Sequence, residues 1–262
     1  MPATSDALEG PHVGLFVTCL VDLFRPSVAF AAIKLLEAGG ARVGVPGTQT
    51  CCGQPAYNCG DRQNAIAIAR QVVETFERFD YVVAPSGSCA GMLRLHYPLL
   101  LAEDPNFAER AALVASKSYE LTSFLVDVLG LTAVDSAFAG TVTYHDSCSS
   151  LRELHVREAP RRLLSSVKGL SLVELADGEV CCGFGGAFSV KYPEISTAIA
   201  DAKLRDIAGT GARTVLSGDL GCLLEIAGRF ARERETVEIR HVAEVLAGMT
   251  DEPGIAAPKQ GS

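Results

Sequence analysis

YVVAPSGSCAGMLRLHY, residues 81–97, and TVLSGDLGCLLEIAGRF, residues 214–230, carry one pattern twice. Each runs a β-branched apolar stretch into small turn residues, then a single cysteine, Cys89 or Cys222, at the head of a helical pattern. That order predicts a buried strand feeding a helix. Further cysteines recur around both copies. One set is Cys19, Cys51-Cys52-Gly53 and Cys89; the other is Cys148, Cys181-Cys182-Gly183 and Cys222. The spacings are C-x31-CC-x36-C and C-x32-CC-x39-C, with equivalent positions offset by 129 to 133 residues. A repeat of this period is the mark of a duplicated fold, and the offset matches an ordinary domain. Two duplicated thiolate tetrads imply two metal or cluster sites on it.

The rest of the chain follows the same alternation. HVGLFVTC predicts a strand ending at Cys19, and Pro26 opens a helix through SVAFAAIKLLEA that Gly39-Gly40 stops. ARVGVPG predicts a strand leading to the first Cys-Cys-Gly loop. Asp61 is placed to cap a helix with Ala65, Ala69, Val72 and Phe76 on one face. Two helical patterns follow, near 106–116 and 120–129. In the second half, TVTYHDSC predicts a strand ending at Cys148, followed by a helix around 160–167 and the strand LSLVEL. PEISTAIADAKLRDIA, with Pro193 in its first turn, and HVAEVLAG are helices. The expected fold is α/β: two homologous halves with mostly parallel sheets, cysteine sites at strand C-terminal ends and helix N-termini. The expected boundaries are 12–133 and 134–250, with loose tails at 1–11 and 251–262.

Composition narrows the function. The chain has 262 residues, 48% of them hydrophobic, enough for two cores. Its formal net charge is −8, from 31 acidic and 23 basic residues, which argues against nucleic acid. The basic-rich Arg229–Arg234 is interrupted by Glu233 and reads as a solvated helix face. MPATSDALEGPH has neither a basic start nor an apolar run, so no secretory signal is expected, and no stretch suits a membrane span. A cytoplasmic setting follows, where nine cysteines point to metal or redox chemistry before disulfides.

Several chemistries suit the tetrads. Adjacent thiolates fit different irons of a multinuclear cluster better than one tetrahedral ion, and the C-x2–4-C knuckles usual for structural zinc are absent. Zinc, a vicinal disulfide switch and inert buried thiols are the alternatives. Cys59 has no counterpart in the second half and reads as a packed or spare thiol. His145 and Asp146, just before Cys148, are candidate supporting groups or a proton relay, without a His-Asp pair before Cys19. Arg25, Arg94 and Arg152 are candidates for a cationic pocket near a cluster. GFGGAF at 183–188 lacks the Lys-Ser/Thr of a phosphate loop, and no nicotinamide, flavin or ATP motif is visible.

GLFVTCLVD, CCGQPAYN, PSGSCAGM, YHDSCSSLREL, CCGFGGAFSVKYPEIS and GDLGC together give the chain a family resemblance over about residues 12–248. It resembles the Cys-Cys-Gly (cysteine-rich domain) iron–sulfur proteins, which include the cysteine-rich subunit of heterodisulfide reductase and the iron–sulfur subunit of glycolate oxidase. It is most similar to their small two-repeat branch serving lactate utilisation. The resemblance implies an iron–sulfur electron-transfer subunit, rather than a stand-alone enzyme, in a complex oxidising L-lactate to pyruvate. Its partner subunits would include a ferredoxin-type iron–sulfur protein. Cys19, Cys51, Cys52 and Cys89 would hold one cluster and Cys148, Cys181, Cys182 and Cys222 another, up to two [4Fe–4S] clusters per chain. The heterodisulfide reductase branch ends each half in Cys-x-x-Cys and holds a non-cubane cluster; here Met92 and Glu225 stand at the last positions. A thiol/disulfide redox subunit and a non-redox zinc-binding module are the competing functions.

Overall fold

Among the described residues, eight short strands form two sheets of four, ordered β2-β1-β3-β4 and β6-β5-β7-β8. The computed structural model describes residues 10–233 and 237–257. Most of the expected tails, 1–9 and 258–262, and Arg234 lie outside the described residues. The first sheet comprises β1 (His12–Leu15), β2 (Arg42–Gly44), β3 (Tyr81–Ala84) and β4 (Ser118–Glu120). The second comprises β5 (Ala137–Tyr144), β6 (Lys168–Leu172), β7 (Thr214–Ser217) and β8 (Glu238–His241). Every pairing is parallel. Parallel sheets are covered on both faces, which explains the unbroken apolar runs in β1, β3 and β7.

The strands end earlier than the sequence suggests. β1 stops at Leu15 and β5 at Tyr144, so Cys19 and Cys148 lie beyond the strands. Cys19 instead opens helix Cys19–Phe24, where Thr18 Oγ1 accepts from Val21 N at 3.3 Å. Cys148 precedes a π-helical turn, Ser149–Glu153. The expected cap at Asp61 is present, accepting from Asn64 N at 3.2 Å at the head of helix Arg62–Phe76. Two strands, β4 and β8, escape the pattern reading altogether.

The two halves exchange helices. Ser27–Ala38 of the first half packs against Val242–Leu246 of the second; reciprocally, Glu158–Leu164 packs against Leu121–Ser123 and Phe124–Val128. One apolar core consequently runs through both halves, from Val13, Leu36 and Leu125 to Val142, Leu163, Leu216 and Leu246. A second core, with Phe76, Val82, Met92 and Tyr97, belongs to the first half. Buried Glu244 joins the halves, accepting from Arg25 Nε at 2.8 Å and Ser27 Oγ at 2.7 Å. Residues 251–257 also meet the fold: Ile255 N donates to Ile239 O at 2.8 Å. Among the described residues, no helix is long and apolar enough to cross a membrane.

Candidate metal centre

Each half gathers its cysteines at the carboxyl end of its sheet. Cys89 is the third residue of helix Gly87–Gly91, which follows β3. Cys222 is the third of helix Leu220–Glu233, which follows β7. The Cys-Cys-Gly triplets sit in loops after β2 and β6, where Gly53 (φ 77°) and Gly183 (φ 92°) take the left-handed turn that L side chains avoid. That turn lets Gly183 N point back at Cys181 Sγ, 3.4 Å away. Cys52, Cys89, Cys182 and Cys222 are buried; Cys19, Cys51, Cys148 and Cys181 are partly exposed. All nine cysteines are free thiols.

The cysteines of each tetrad interact along the chain. Cys19 Sγ lies 3.7 Å from Cys51 Sγ, and Cys52 acts electrostatically on both Cys51 and Cys89. The second half repeats the chain as Cys148–Cys181–Cys182–Cys222. In both, the central thiol is the acceptor. Cys51 is held down to about 2 by hydrogen bonds from Cys19 and Cys52, with help from the Gly53 N–H against the cost of burial. Cys181 is likewise held at about 2 by Cys148, Cys182 and the Gly183 N–H. Their donors Cys19, Cys52, Cys148 and Cys182 are pushed up, first by holding those protons and then by burial. Each tetrad thus favours a thiolate among soft donors, the arrangement a thiophilic cation replaces protons in.

The two tetrads share walls. One cavity, of about 120 Å³, is lined by Cys19, Cys51, Cys52 and Cys89 together with Phe184, Gly186 and Asp219 of the second half. The other, of about 260 Å³, is lined by Cys148, Cys181, Cys182 and Cys222 together with Gln54, Asn58 and Ser88 of the first. Each half therefore helps close the other's site. Helix Gly87–Gly91 lies so close to the segment after Cys148 that a Cβ at Gly87 would stand 1.8 Å from Ser150 Oγ.

Asp219 links the two fourth-cysteine helices. Its Oδ1 accepts from Gly221 N at 3.1 Å; its Oδ2 accepts from Ser86 Oγ at 2.9 Å, Ser88 N at 3.0 Å and Ser88 Oγ at 2.7 Å. Ser86 Oγ in turn accepts from Cys89 N at 3.4 Å. Ser86 and Asp219 each stand three residues before a fourth cysteine, the sequence signal of a helix cap, but their meeting across the halves has no sequence signal.

The lone candidates fall elsewhere. Arg25 pairs with Glu244, Arg94 donates to Ser118 O at 2.8 Å, and Arg152 donates to Glu179 O at 2.8 Å. None of the three lines either cysteine cavity, so the expected cationic pocket is not built from them. Asp146 is committed to Arg161, whose NH1 and NH2 reach its two oxygens at 2.9 and 2.7 Å. Cys59 is exposed, a spare thiol and not a packed one. Met92 is fully buried in the first-half core. His145 does reach the site: a ring nitrogen, Cys182 Sγ and Cys222 Sγ lie within 4.8 Å of one another.

Two segments, 13–94 and 142–227, match the cysteine-rich domain. They contain the two tetrads, one each. A relative from Oceanobacillus iheyensis named lactate utilization protein A is 47% identical over 89% of this chain and 96% of its own length. Another of that name, from Bacillus cytotoxicus, is 49% identical over 89% of this chain and 98% of its own. The chain belongs to the lactate utilization protein A family of cysteine-rich domain proteins. A solved structure of a hypothetical protein from Helicobacter pylori shares the fold, with a TM-score of 0.65 at 11% identity. The likeness covers 93% of this chain and 51% of that one.

Proposed function

We propose that this chain is a cytoplasmic iron–sulfur electron-transfer subunit of a complex oxidising L-lactate to pyruvate. Cys19, Cys51, Cys52 and Cys89 would hold one [4Fe–4S] cluster, and Cys148, Cys181, Cys182 and Cys222 a second. The observation that carries the reading is the convergence, twice, of four cysteines on one cavity, the two cavities sharing walls. Adjacent cysteines such as Cys51-Cys52 reach neighbouring metals of a cluster more readily than one ion. When bound, such clusters supply one-electron transfer. The chain's residues would hold them, half-shield them and, through Asp219, fix the two sites relative to each other. The name of the relatives supports the tie to lactate.

The sequence carries no flavin or nicotinamide motif, so the two-electron oxidation of the 2-hydroxy acid would need a partner subunit, and a ferredoxin-type iron–sulfur protein among the partners would relay single electrons. The two repeats would be domains bounded at 12–133 and 134–250. One observation favours a second reading: His145, Cys182 and Cys222 alone would suit a mononuclear zinc ion in the second half. Iron, acid-labile sulfide and zinc per chain, measured on protein purified without oxygen, decide between them. About eight iron and eight sulfide are expected for two cubane-sized clusters. Zinc without iron, even after anaerobic reconstitution, overturns the electron-transfer reading.

A further inference from the structure

His145 follows β5 and is fully buried, yet neither ring nitrogen has a hydrogen-bond partner in the protein. A buried imidazole so placed forfeits bonds it would make in water, and buried polar groups are rarely left so unless something beyond the polypeptide meets them. The ring is aimed at the second tetrad, within 4.8 Å of the sulfurs of Cys182 and Cys222. The charged groups around it are already committed. Lys203, also fully buried, gives its ammonium to Asp177 O at 2.8 Å and lies 3.4 Å from Asp206 Oδ2. Asp219 is held by the serines of the first half, and Asp146 by Arg161.

The duplication supplies an internal control. His145 N donates to Leu216 O at 2.8 Å, and the equivalent bond in the first half runs from Phe16 N to Val83 O, also 2.8 Å. Phe16 therefore stands where His145 stands. It offers no ring N–H and packs on Phe76, with ring centroids 5.4 Å apart. Two sites with matching thiols thus differ at this position.

We propose that His145 is a fifth donor to the second cysteine site: a ring N–H hydrogen-bonds a sulfur of the centre held by Cys148, Cys181, Cys182 and Cys222 and raises its reduction potential above that of the first. The inference rests on the iron–sulfur reading. A hydrogen bond to cluster sulfur stabilises the charge added on reduction, so the reduced state is favoured where the donor is present. The first half, with Phe16 at the equivalent position, lacks it. An electron held by this chain then resides at the second site, and the duplication becomes directional.

The test is a redox titration of the holoprotein followed by EPR, with iron and sulfide measured on every sample. The variants are His145→Phe, which copies the first half, and His145→Gln, which keeps an N–H donor. Two waves are expected in the wild-type protein. In H145F one wave should fall by the equivalent of a tenfold or greater change in the reduction equilibrium, 59 mV for a one-electron couple, with the other unmoved. H145Q should shift it less. Loss of half the iron in H145F but not in H145Q also supports the donor role. Unmoved waves at full iron content overturn the proposal, as does loss of half the iron in both variants, which would make the imidazole itself indispensable. Wild-type protein that takes up no iron overturns the reading beneath it, and this inference with it.

Discussion

His241 is a single side chain that serves both halves. It ends β8 and caps helix Val242–Leu246, its Nδ1 accepting from Ala243 N at 3.2 Å, while Nε2 faces Pro85 O of the first half at 3.2 Å. Only the neutral tautomer with its proton on Nε2 satisfies both bonds. Burial pushes its pKa down, against the pull of Glu244 and Asp219. A histidine whose folded pKa lies below its unfolded value of about 6.5 stabilises the fold fully above that pH and less as pH falls. Urea unfolding of the metal-free protein should therefore show stability falling as pH drops below about 6.5. His241→Asn keeps a capping oxygen without a titrating ring and should be less pH-dependent across that window; an identical profile would sink the assignment. His145, pushed down by burial to about 4, acts in the same direction at lower pH, and buried Glu120, pushed up, acts in the opposite one, so the comparison is of variant with wild type. At this scale the sequence shows cysteines and the Asp61 cap because their partners are near in the chain or repeat with it. It does not show the role of His241, whose partner Pro85 is 156 residues away.

The two helices that present Cys89 and Cys222 are elements whose capping crosses the molecule. Asp219 caps its own helix with one oxygen and with the other takes three hydrogen bonds from the cap of the other helix. Replacing it with alanine leaves Ser88 N and Gly221 N without their acceptor and Ser86 Oγ and Ser88 Oγ with only each other to donate to. Charge-assisted bonds of this kind and the cost of leaving their donors unpaired imply a loss of about 3 kcal/mol. Chemical denaturation of Asp219→Ala should show it, and a loss under about 0.5 kcal/mol would mean the bridge carries no stability. Elements differ in how plainly the sequence displays them. The β3- and β7-to-helix passages are evident because apolar runs meet small turn residues. β4 is only SYE, and β8 is EIRH, where Arg240 is buried with Nε 2.6 Å from Glu238 Oε1. Three or four residues with charges turned inward mimic a loop, and only the neighbouring strand reveals them. The pattern overruns the end of β1 for a related reason: apolar Phe16 and Val17 continue it past Leu15, the last residue paired across the sheet.

At the scale of the whole molecule, exchanged helices and shared cavity walls make the two repeats one body with both cysteine sites near their common boundary. As the electron-transfer subunit proposed above, the chain would need a partner close to the half-exposed sulfurs, and exposed apolar side chains stand near them in the chain. Leu23 (71% exposed) and Phe24 (62%) lie on the helix that Cys19 opens, and Val190 (81%) and Tyr192 (55%) follow the second Cys-Cys-Gly loop. Large apolar side chains this exposed beside the cysteine sites are the residues a protein interface buries. Phe24→Asp and Val190→Asp place a charge there without touching a cysteine or the core. Each should weaken association with the partner subunits at least tenfold, about 1.4 kcal/mol, while iron content and unfolding stability stay at wild-type values. Sedimentation of the variant with its partner subunits reads the affinity directly. Unchanged affinity in both variants would place the docking face elsewhere, and loss of iron in either would show that the substitution had reached the site and not the interface.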